Sequence, residues 1–460
     1  MFIGRERELA KLNEMYNSEK FECAIIYGRR RIGKTSLIQE FIKDKKAIYF
    51  LSFETSERIN LENFSKSIWN ATMINIKTPP VFTSFQAALE AVGDCAANER
   101  LILVIDEYPY LANSVKGISS ILQAQIDMRF KNSKLFLILC GSSMSFMENQ
   151  ALGYQSPLYG RRTAQFKILP FDFFESISFH EKYNAYENAV IYGITGGIPQ
   201  YLAQIDSSKS LKENIINSFF DPSAFLFEEP SNLLNQELRE PQVYNDIITA
   251  VAGGSSRLNE ISTKTEIETA VCSKYLKTLI SLGIIKKESP VLSESSKRTI
   301  YRLADNMFRF WYRFVPQNIS QIQAGAGTKV YADVEELIPV YMGEVFEEIC
   351  KQYLWKENLA DRLPFNFRDA GRWWGTNPIR KSEQEIDIIA FDDNRAIFCE
   401  CKWRNEPVGN DVLNGLIEKS LFFNFKEKHY CLFSKSGFTD ECRNNAGSNT
   451  QLIEFSNMSK

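Results

Sequence analysis

The sequence predicts an α/β fold built on a largely parallel sheet. A helical region, a helix-turn-helix with a β-ribbon and a terminal α+β region follow it. Three observations carry this reading. Apolar, strand-sized runs alternate with amphipathic helical stretches through the first half. A GRRRIGKT segment at residues 28–35 stands between one such run and a helical stretch. Near the end, EIDIIAFDDNRAIFCECKW has the alternation and central turn of a hairpin.

Strands are expected over residues 23–27, 47–53, 101–105, 134–140 and 165–169, each an apolar run ending in polar or turn residues, with helices in the gaps. Past Pro170, residues 171–205 and 211–239 read as helical, with breaks at Gly196-Gly197, Pro199, Pro222 and Pro230. Pro241 opens a further helix at a first-turn position, where its missing N–H is no loss. Shorter helices are expected near 258–262 and 268–282, and Gly283 stops the second. Two strand-like runs around a Ser-rich loop then complete a winged-helix pattern. Beyond Phe308 an aromatic stretch leads to a helix near 335–355, a hairpin near 385–403, a helix near 411–425 and a strand near 429–434. The expected domains are a nucleotide-binding core at 1–170, a helical lid at 171–240, a winged helix at 241–315 and an α+β domain at 316–460. A length of 460 residues suits about three domains of roughly 150.

Composition removes several classes. Hydrophobic residues at 44% and charged residues at 24% exclude a disordered or fibrous chain. No apolar run reaches the roughly 18 residues of a membrane span, so no membrane partner is expected. The charged start MFIGRERELAKL lacks a secretory core, which points to a cytoplasmic protein. Nine cysteines without CxxC pairs and two histidines, His180 and His429, argue against structural zinc. The net charge of −3 hides an uneven distribution: residues 255–315 hold 11 Lys and Arg against 6 Asp and Glu.

The segment GRRRIGKT matches GxxxxGK[ST] between a strand and a helix, the phosphate-loop arrangement. Close backbone approach to a phosphate needs glycine, and the free amides at a helix start supply donors. Gly28, Arg29, Arg30, Arg31, Ile32, Gly33, Lys34, Thr35 and Ser36 form the expected ATP cradle. Lys34 would pair with the β- and γ-phosphates and Thr35 would offer its hydroxyl to Mg2+. The apolar run LILVIDE ends in Asp106 and Glu107, where the C-terminal end of a parallel strand faces the ligand. Asp106 is expected to hold magnesium and Glu107 to orient or deprotonate the attacking water. Ser142 or Ser143 is a candidate sensor of the γ-phosphate, with a plain serine turn as the alternative.

FIGRERE, the phosphate loop, VIDEYPYL, the GSS after the fourth strand, LYGRRT and TGGIPQYL occur in the order found in the archaeal-type ATPases of the STAND branch, near the AAA+ proteins. Residues 1–315 resemble that family. The resemblance implies a P-loop NTPase in which the GRExE start frames the nucleotide and Gly197-Ile198-Pro199 packs near the adenine. It also implies that Arg161 or Arg162 meets a γ-phosphate, from a neighbouring subunit in a homo-oligomer.

Asp387, Glu400 and Lys402 form the second constellation. If Asp393-Asn394 is a two-residue turn, Asp392 pairs with Arg395, paired residue numbers sum to 787, and Asp387 lies opposite Glu400. Opposed side chains share a face with Cβ atoms roughly 4.5–5.5 Å apart, and Lys402 falls on that face by alternation. Two such close carboxylates repel unless a cation intervenes, so Asp387 and Glu400 are candidate metal ligands. Glu347 is the expected third acid, from a helix that carries Glu344 and Glu347 on one face. Lys402 would position water or neutralise developing charge. An exposed hairpin with a Glu385–Lys402 ion pair is the plainer alternative. These residues resemble the PD-(D/E)xK pattern of restriction-endonuclease-like domains, and GRWW with EIDIIA is similar to a domain fused to this ATPase family.

Lys274 and Lys277 on the second short helix, with Lys286, Lys287, Lys297 and Arg298 on the ribbon, are candidate contacts to a DNA backbone. A lid packed on the nucleotide domain is the alternative. The expected function is an ATP-hydrolysing switch controlling a metal-dependent nuclease-like domain with DNA as substrate. The alternative is a STAND-type regulator whose nuclease fold is inactive and binds DNA or a partner.

Overall fold

The computed structural model describes residues 2–72, 79–293, 298–377 and 381–458. Lys297 therefore lies outside the described residues. The chain divides into two compact units, Met1–Pro170 and Phe171–Lys460.

The first unit is built on β1 (Glu22–Tyr27), β2 (Ala47–Leu51), β3 (Leu101–Asp106), β4 (Leu135–Gly141) and β5 (Ala164–Lys167). They form one parallel sheet in the order β2-β3-β4-β1-β5. Every residue of β1, β3 and β4 is buried, because helices cover both faces of such a sheet. Alternation divides β1 between two cores: Cys23, Ile25 and Tyr27 join one, Ala24 and Ile26 the other. The strand order brings the ends of β1, β3 and β4 side by side, and these ends carry the phosphate loop, Asp106-Glu107 and Ser142.

The second unit opens with helices whose boundaries differ from those expected. Within residues 171–205 the expected breaks at Gly196-Gly197 and Pro199 are present, and a further gap before Asn184 leaves three separate helices, Phe173–Ser176, Ala185–Thr195 and Pro199–Leu202. Side-chain capping boxes at Asp172 and Asn184 start the first two. Gly196, at φ 64°, ends the second, and Pro199 begins the third at a position that suits it. Pro230 does not break its helix but sits inside Phe225–Glu237. At Gly197, φ is 67° and a β-carbon would collide with the carbonyl oxygen of Phe171, so the turn requires glycine.

Helices Pro241–Ala252, Leu258–Thr265 and Thr269–Ser281 follow, then an antiparallel ribbon of β6 (Ile285–Glu288) and β7 (Ile300–Leu303). The long helix Ile338–Leu359 then leads to β8 (Asp369–Asn377), β9 (Ser382–Phe391), β10 (Arg395–Lys402), β11 (Glu427–Ser434) and β12 (Thr450–Glu454). These make a mixed sheet in the order β12-β11-β10-β9-β8. Between β9 and β10, Ala396 pairs with Phe391 and Cys399 with Ile388, the register that a two-residue Asp393-Asn394 turn dictates. The edge strand β8, with a register shift between Gly371 and Trp373, has no counterpart among the expected elements.

Gly197→Ala should destabilise the second unit by about 2–3 kcal/mol, through left-handed strain plus the collision. A thermal melting point within a degree of the parent protein would contradict this account of the turn.

Candidate functional site

The phosphate loop is shaped by residues in unusual backbone conformations. Gly28 has φ 154°, Arg31 74° and Gly33 84°. A β-carbon on Gly28 would lie 2.5 Å from the carbonyl oxygen of Ile168, so the loop can run this close to the neighbouring chain only with glycine. Arg5 braces it from below, donating to the carbonyls of Ile32 at 3.2 Å and Leu169 at 2.6 Å. The helix Lys34–Ile42 begins directly after Gly33 and has no side-chain cap, so its first amides face the loop. Lys34 is buried, its Nζ donating to the carbonyls of Gly28 at 2.8 Å and Arg29 at 2.9 Å. Arg30 reaches Tyr110 at 2.9 Å.

Beside the loop, Thr35 Oγ1 donates to Asp106 Oδ2 at 3.0 Å, joining the helix start to the end of β3. Tyr49 on β2 donates to the same oxygen at 2.6 Å. Tyr49 escaped sequence reasoning; the available signal was its place on the strand expected over residues 47–53. Burial and this carboxylate both push the Tyr49 hydroxyl well above its ordinary range, so it stays a donor. Glu107 adopts φ 51°, which turns its carboxylate away from that of Asp106 and towards β4. There Ser142 Oγ donates to it at 3.0 and 3.1 Å. Ser52 donates to the carbonyls of Asp106 at 2.8 Å and Glu107 at 2.6 Å, fixing the turn.

Helix-start amides without a side-chain cap, a buried lysine and the oxygen pair Thr35–Asp106 are a set of groups that suits a magnesium-bound nucleoside triphosphate. Arg161 is engaged elsewhere within its own unit. Its Nε donates to Asp127 at 3.0 Å and its guanidinium to the carbonyls of Pro157 and Tyr159. Arg161 holds the Asp127 carboxyl down to about 2. Gly197 and Pro199 belong to the second unit.

The second unit holds the other constellation. One carboxylate oxygen from each of Glu347, Glu385 and Asp387 lies within 4.8 Å of the others. Of the expected ligands, Glu347 and Asp387 are in this group together with Glu385, and Glu400 is not. Both oxygens of Glu400 are gripped by lysines, Lys402 at 2.7 Å and Lys419 at 3.2 Å. Glu385, two residues before Asp387 on the same strand, takes its place by alternation. Nor does Glu385 pair with Lys402; its partner is Arg372 on β8. Glu344 is held by Arg302 at 2.9 Å and Arg309 at 2.7 Å, which leaves Glu347 as the acid of that helix nearest Asp387. Asp387 also accepts the backbone N–H of Cys401 at 2.7 Å.

Burial pushes Glu347 up to about 7, with Asp387 adding to the rise. Burial likewise raises Asp387 to about 6, with Glu400 adding to it. Burial alone would lower the Lys402 ammonium, but Glu400 and Asp387 overcome it and hold it above its ordinary value. Three close oxygen ligands, two with raised carboxyls, suit a hard divalent cation.

The parallel sheet and phosphate loop define a P-loop NTPase of the Walker type. A profile of the ATPase domain found predominantly in Archaea matches residues 2–205. A second profile, of archaeal and bacterial proteins of unknown function, matches residues 311–414. An uncharacterised protein of Methanocaldococcus jannaschii is 34% identical over 445 residues, 95% of this chain and 96% of that one. An uncharacterised ATP-binding protein of the same organism is 48% identical over 46 residues, 10% of this chain and 78% of that one. Among solved structures, a Walker-type ATPase of Pyrococcus abyssi is similar in fold, with a TM-score of 0.53 and 21% identity over 68% of this chain and 96% of that one. The chain belongs to this archaeal ATPase family.

A carboxyl raised on folding binds more protons folded than unfolded between its two values. Glu347 therefore lowers stability as pH rises from about 4.5 towards 7. In EDTA, the parent protein should lose on the order of 1–3 kcal/mol more between pH 5 and pH 7.5 than Glu347→Gln does. Denaturation followed by tryptophan fluorescence reads mainly the second unit, since Trp69 alone lies in the first. Identical pH slopes for the two proteins would contradict the raised carboxyl.

Proposed function

We propose that this protein binds and hydrolyses ATP at the phosphate loop and uses the cycle to control a metal-dependent, nuclease-like site in the second unit that acts on DNA. The observation that carries the first half is the Thr35–Asp106 contact at 3.0 Å beside the buried Lys34. Lys34 would pair with the β- and γ-phosphates, and the amides after Gly33 would receive their oxygens. Thr35 and Asp106 would hold magnesium, whose charge offsets that on the phosphate oxygens when bound. Glu107, poised by Ser142 Oγ, orients the attacking water and takes its proton; Ser142 reports the state of the site back to β4. Arg161, if it serves a γ-phosphate, does so on a neighbouring subunit and must first leave Asp127.

Support for the second half is the three-carboxylate cluster flanked by the Glu400–Lys402 pair. Glu347, Glu385 and Asp387 would hold the cation, and Lys402 would steady charge developing on a phosphodiester. The helices and ribbon of residues 241–303 read as a winged helix, whose exposed Lys274 and Lys277 suit a DNA backbone. A second reading, a regulator with an inactive nuclease fold, is favoured by one feature: Glu400 is occupied by two lysines.

Lys34→Ala should weaken ATP binding at least tenfold, while Glu107→Gln should keep ATP affinity and lose turnover by about a hundredfold or more. Parental hydrolysis by Glu107→Gln would move the water-activating role to another residue. Asp387→Ala should abolish Mn2+-dependent DNA cleavage and leave ATP hydrolysis within about twofold. Cleavage that survives this substitution would overturn the assignment of the second site.

A further inference from the structure

Resting on the reading of Glu347, Glu385 and Asp387 as a phosphodiester site, we propose that the β6–β7 ribbon is a fixed wall of that site. The wall makes the site take the phosphate of an unpaired strand and excludes continuous duplex. A cavity of about 340 Å³ lies in front of the carboxylates, with Lys286 and Arg302 of the ribbon on one side. Glu347 and Lys351 of the long helix, with Arg372 and Asp387 of the sheet, form the other. That volume is in the range of a small-molecule pocket. Recognition of duplex instead covers on the order of 1,000 Å² of protein surface, more than a cavity closed on the ribbon side offers.

The chemistry of the lining favours a nucleotide. The ammonium groups of Lys286 and Lys351 make no ion pair or hydrogen bond among the described residues, although the Lys286 charge also acts on Glu344, so both can meet phosphate oxygens beside the cation. Trp355, on the long helix across the cavity from the ribbon, offers an aromatic surface on which a base stacks.

The ribbon is seated rather than draped. The N–H of Val291, just past β6, donates to the carbonyl of Arg372 at 3.0 Å, covering the edge of β8. The Val291 side chain packs with the cluster that contains Trp373. It fits there because residue 371 is glycine: a β-carbon at that position would lie 2.5 Å from Val291 Cγ1. A β-carbon at Gly375 would likewise collide with the guanidinium of Arg298. Arg302 ties β7 to Glu344 at 2.9 Å. Two notches in one strand and an ion pair hold the wall in place.

The same geometry supplies the test. Val291 Cβ lies 3.9 Å from where a β-carbon on residue 371 would stand, within the span of a disulfide. The full-length double variant Val291→Cys/Gly371→Cys is assayed oxidised and reduced, with Mn2+. The probes are a fluorescein-labelled single-stranded oligothymidylate and a hairpin duplex. Oxidised and reduced protein should bind and cut the single strand within twofold of each other, and neither should cut the duplex stem. Duplex cleavage that appears only on reduction would show a moving gate and overturn the wall. Lys286→Ala should weaken Mn2+-dependent single-strand binding about tenfold, while Lys426→Ala, at an exposed position away from the cavity, leaves it within twofold. Equal losses from the two would overturn the proposal. If nothing is cut but Mn2+-dependent single-strand binding persists with its Lys286 dependence, the nuclease reading fails and the wall stands. No single-strand binding at all removes the wall.

Discussion

Like charges gathered close together are the constraint around which both units are arranged. Asp106 and Glu107 are consecutive carboxylates at the end of a fully buried strand, and Glu347, Glu385 and Asp387 converge within 4.8 Å. Carboxylates that close repel, and half-burial magnifies the repulsion. The protein meets this in two ways. In the first unit the left-handed turn at Glu107 separates the pair, and hydroxyls of Thr35, Tyr49 and Ser142 solvate each carboxylate singly. In the second unit partial relief comes from Arg372 and the Cys401 amide, while burial first and neighbouring carboxylates second raise the carboxyls of Glu347 and Asp387.

The scaffolds follow from this. Parallel strands bring β1, β3 and β4 to a common edge, so residues far apart in sequence donate to one carboxylate pair. Tyr49 and Thr35 arrive on opposite sides of Asp106 because β2 lies next to β3 and the loop follows β1. In the second unit the hairpin register sets Asp387 near Glu400, and the long helix Ile338–Leu359 carries Glu347 to them. Lys402 and Lys419 then neutralise Glu400, which leaves Glu385 as the nearer partner for a cation.

Much of this was legible in the sequence where a local rule fixed it. β1, β3 and β4 lie within one residue of their apolar runs, because burial on both faces leaves little choice of residue, and the partly exposed β2 and β5 lie within two. The β9–β10 register followed from a two-residue turn. What escaped depends on contacts remote in sequence. The edge strand β8 has no clean alternation, since its register shift between Gly371 and Trp373 interrupts the period. Without β8, Arg372 could not be seen to take Glu385 from Lys402, and Glu400 rather than Glu385 was read as the ligand beside Asp387 and Glu347. Lys419, 17 residues past Lys402, and Tyr49, 57 before Asp106, meet their partners only through the fold. Pro230 read as a break because sequence alone does not show that the chain on either side stays helical.

If the carboxylate clusters are cation sites, the number of bound cations should depend on nucleotide in a definite way. Electron paramagnetic resonance of Mn2+ titrated into the full chain at pH 7.5 counts them directly. One bound ion per chain is expected without nucleotide, at Glu347, Glu385 and Asp387, and a second should appear on adding a non-hydrolysable ATP analogue. A single ion that binds only together with the nucleotide would contradict the account of the second unit.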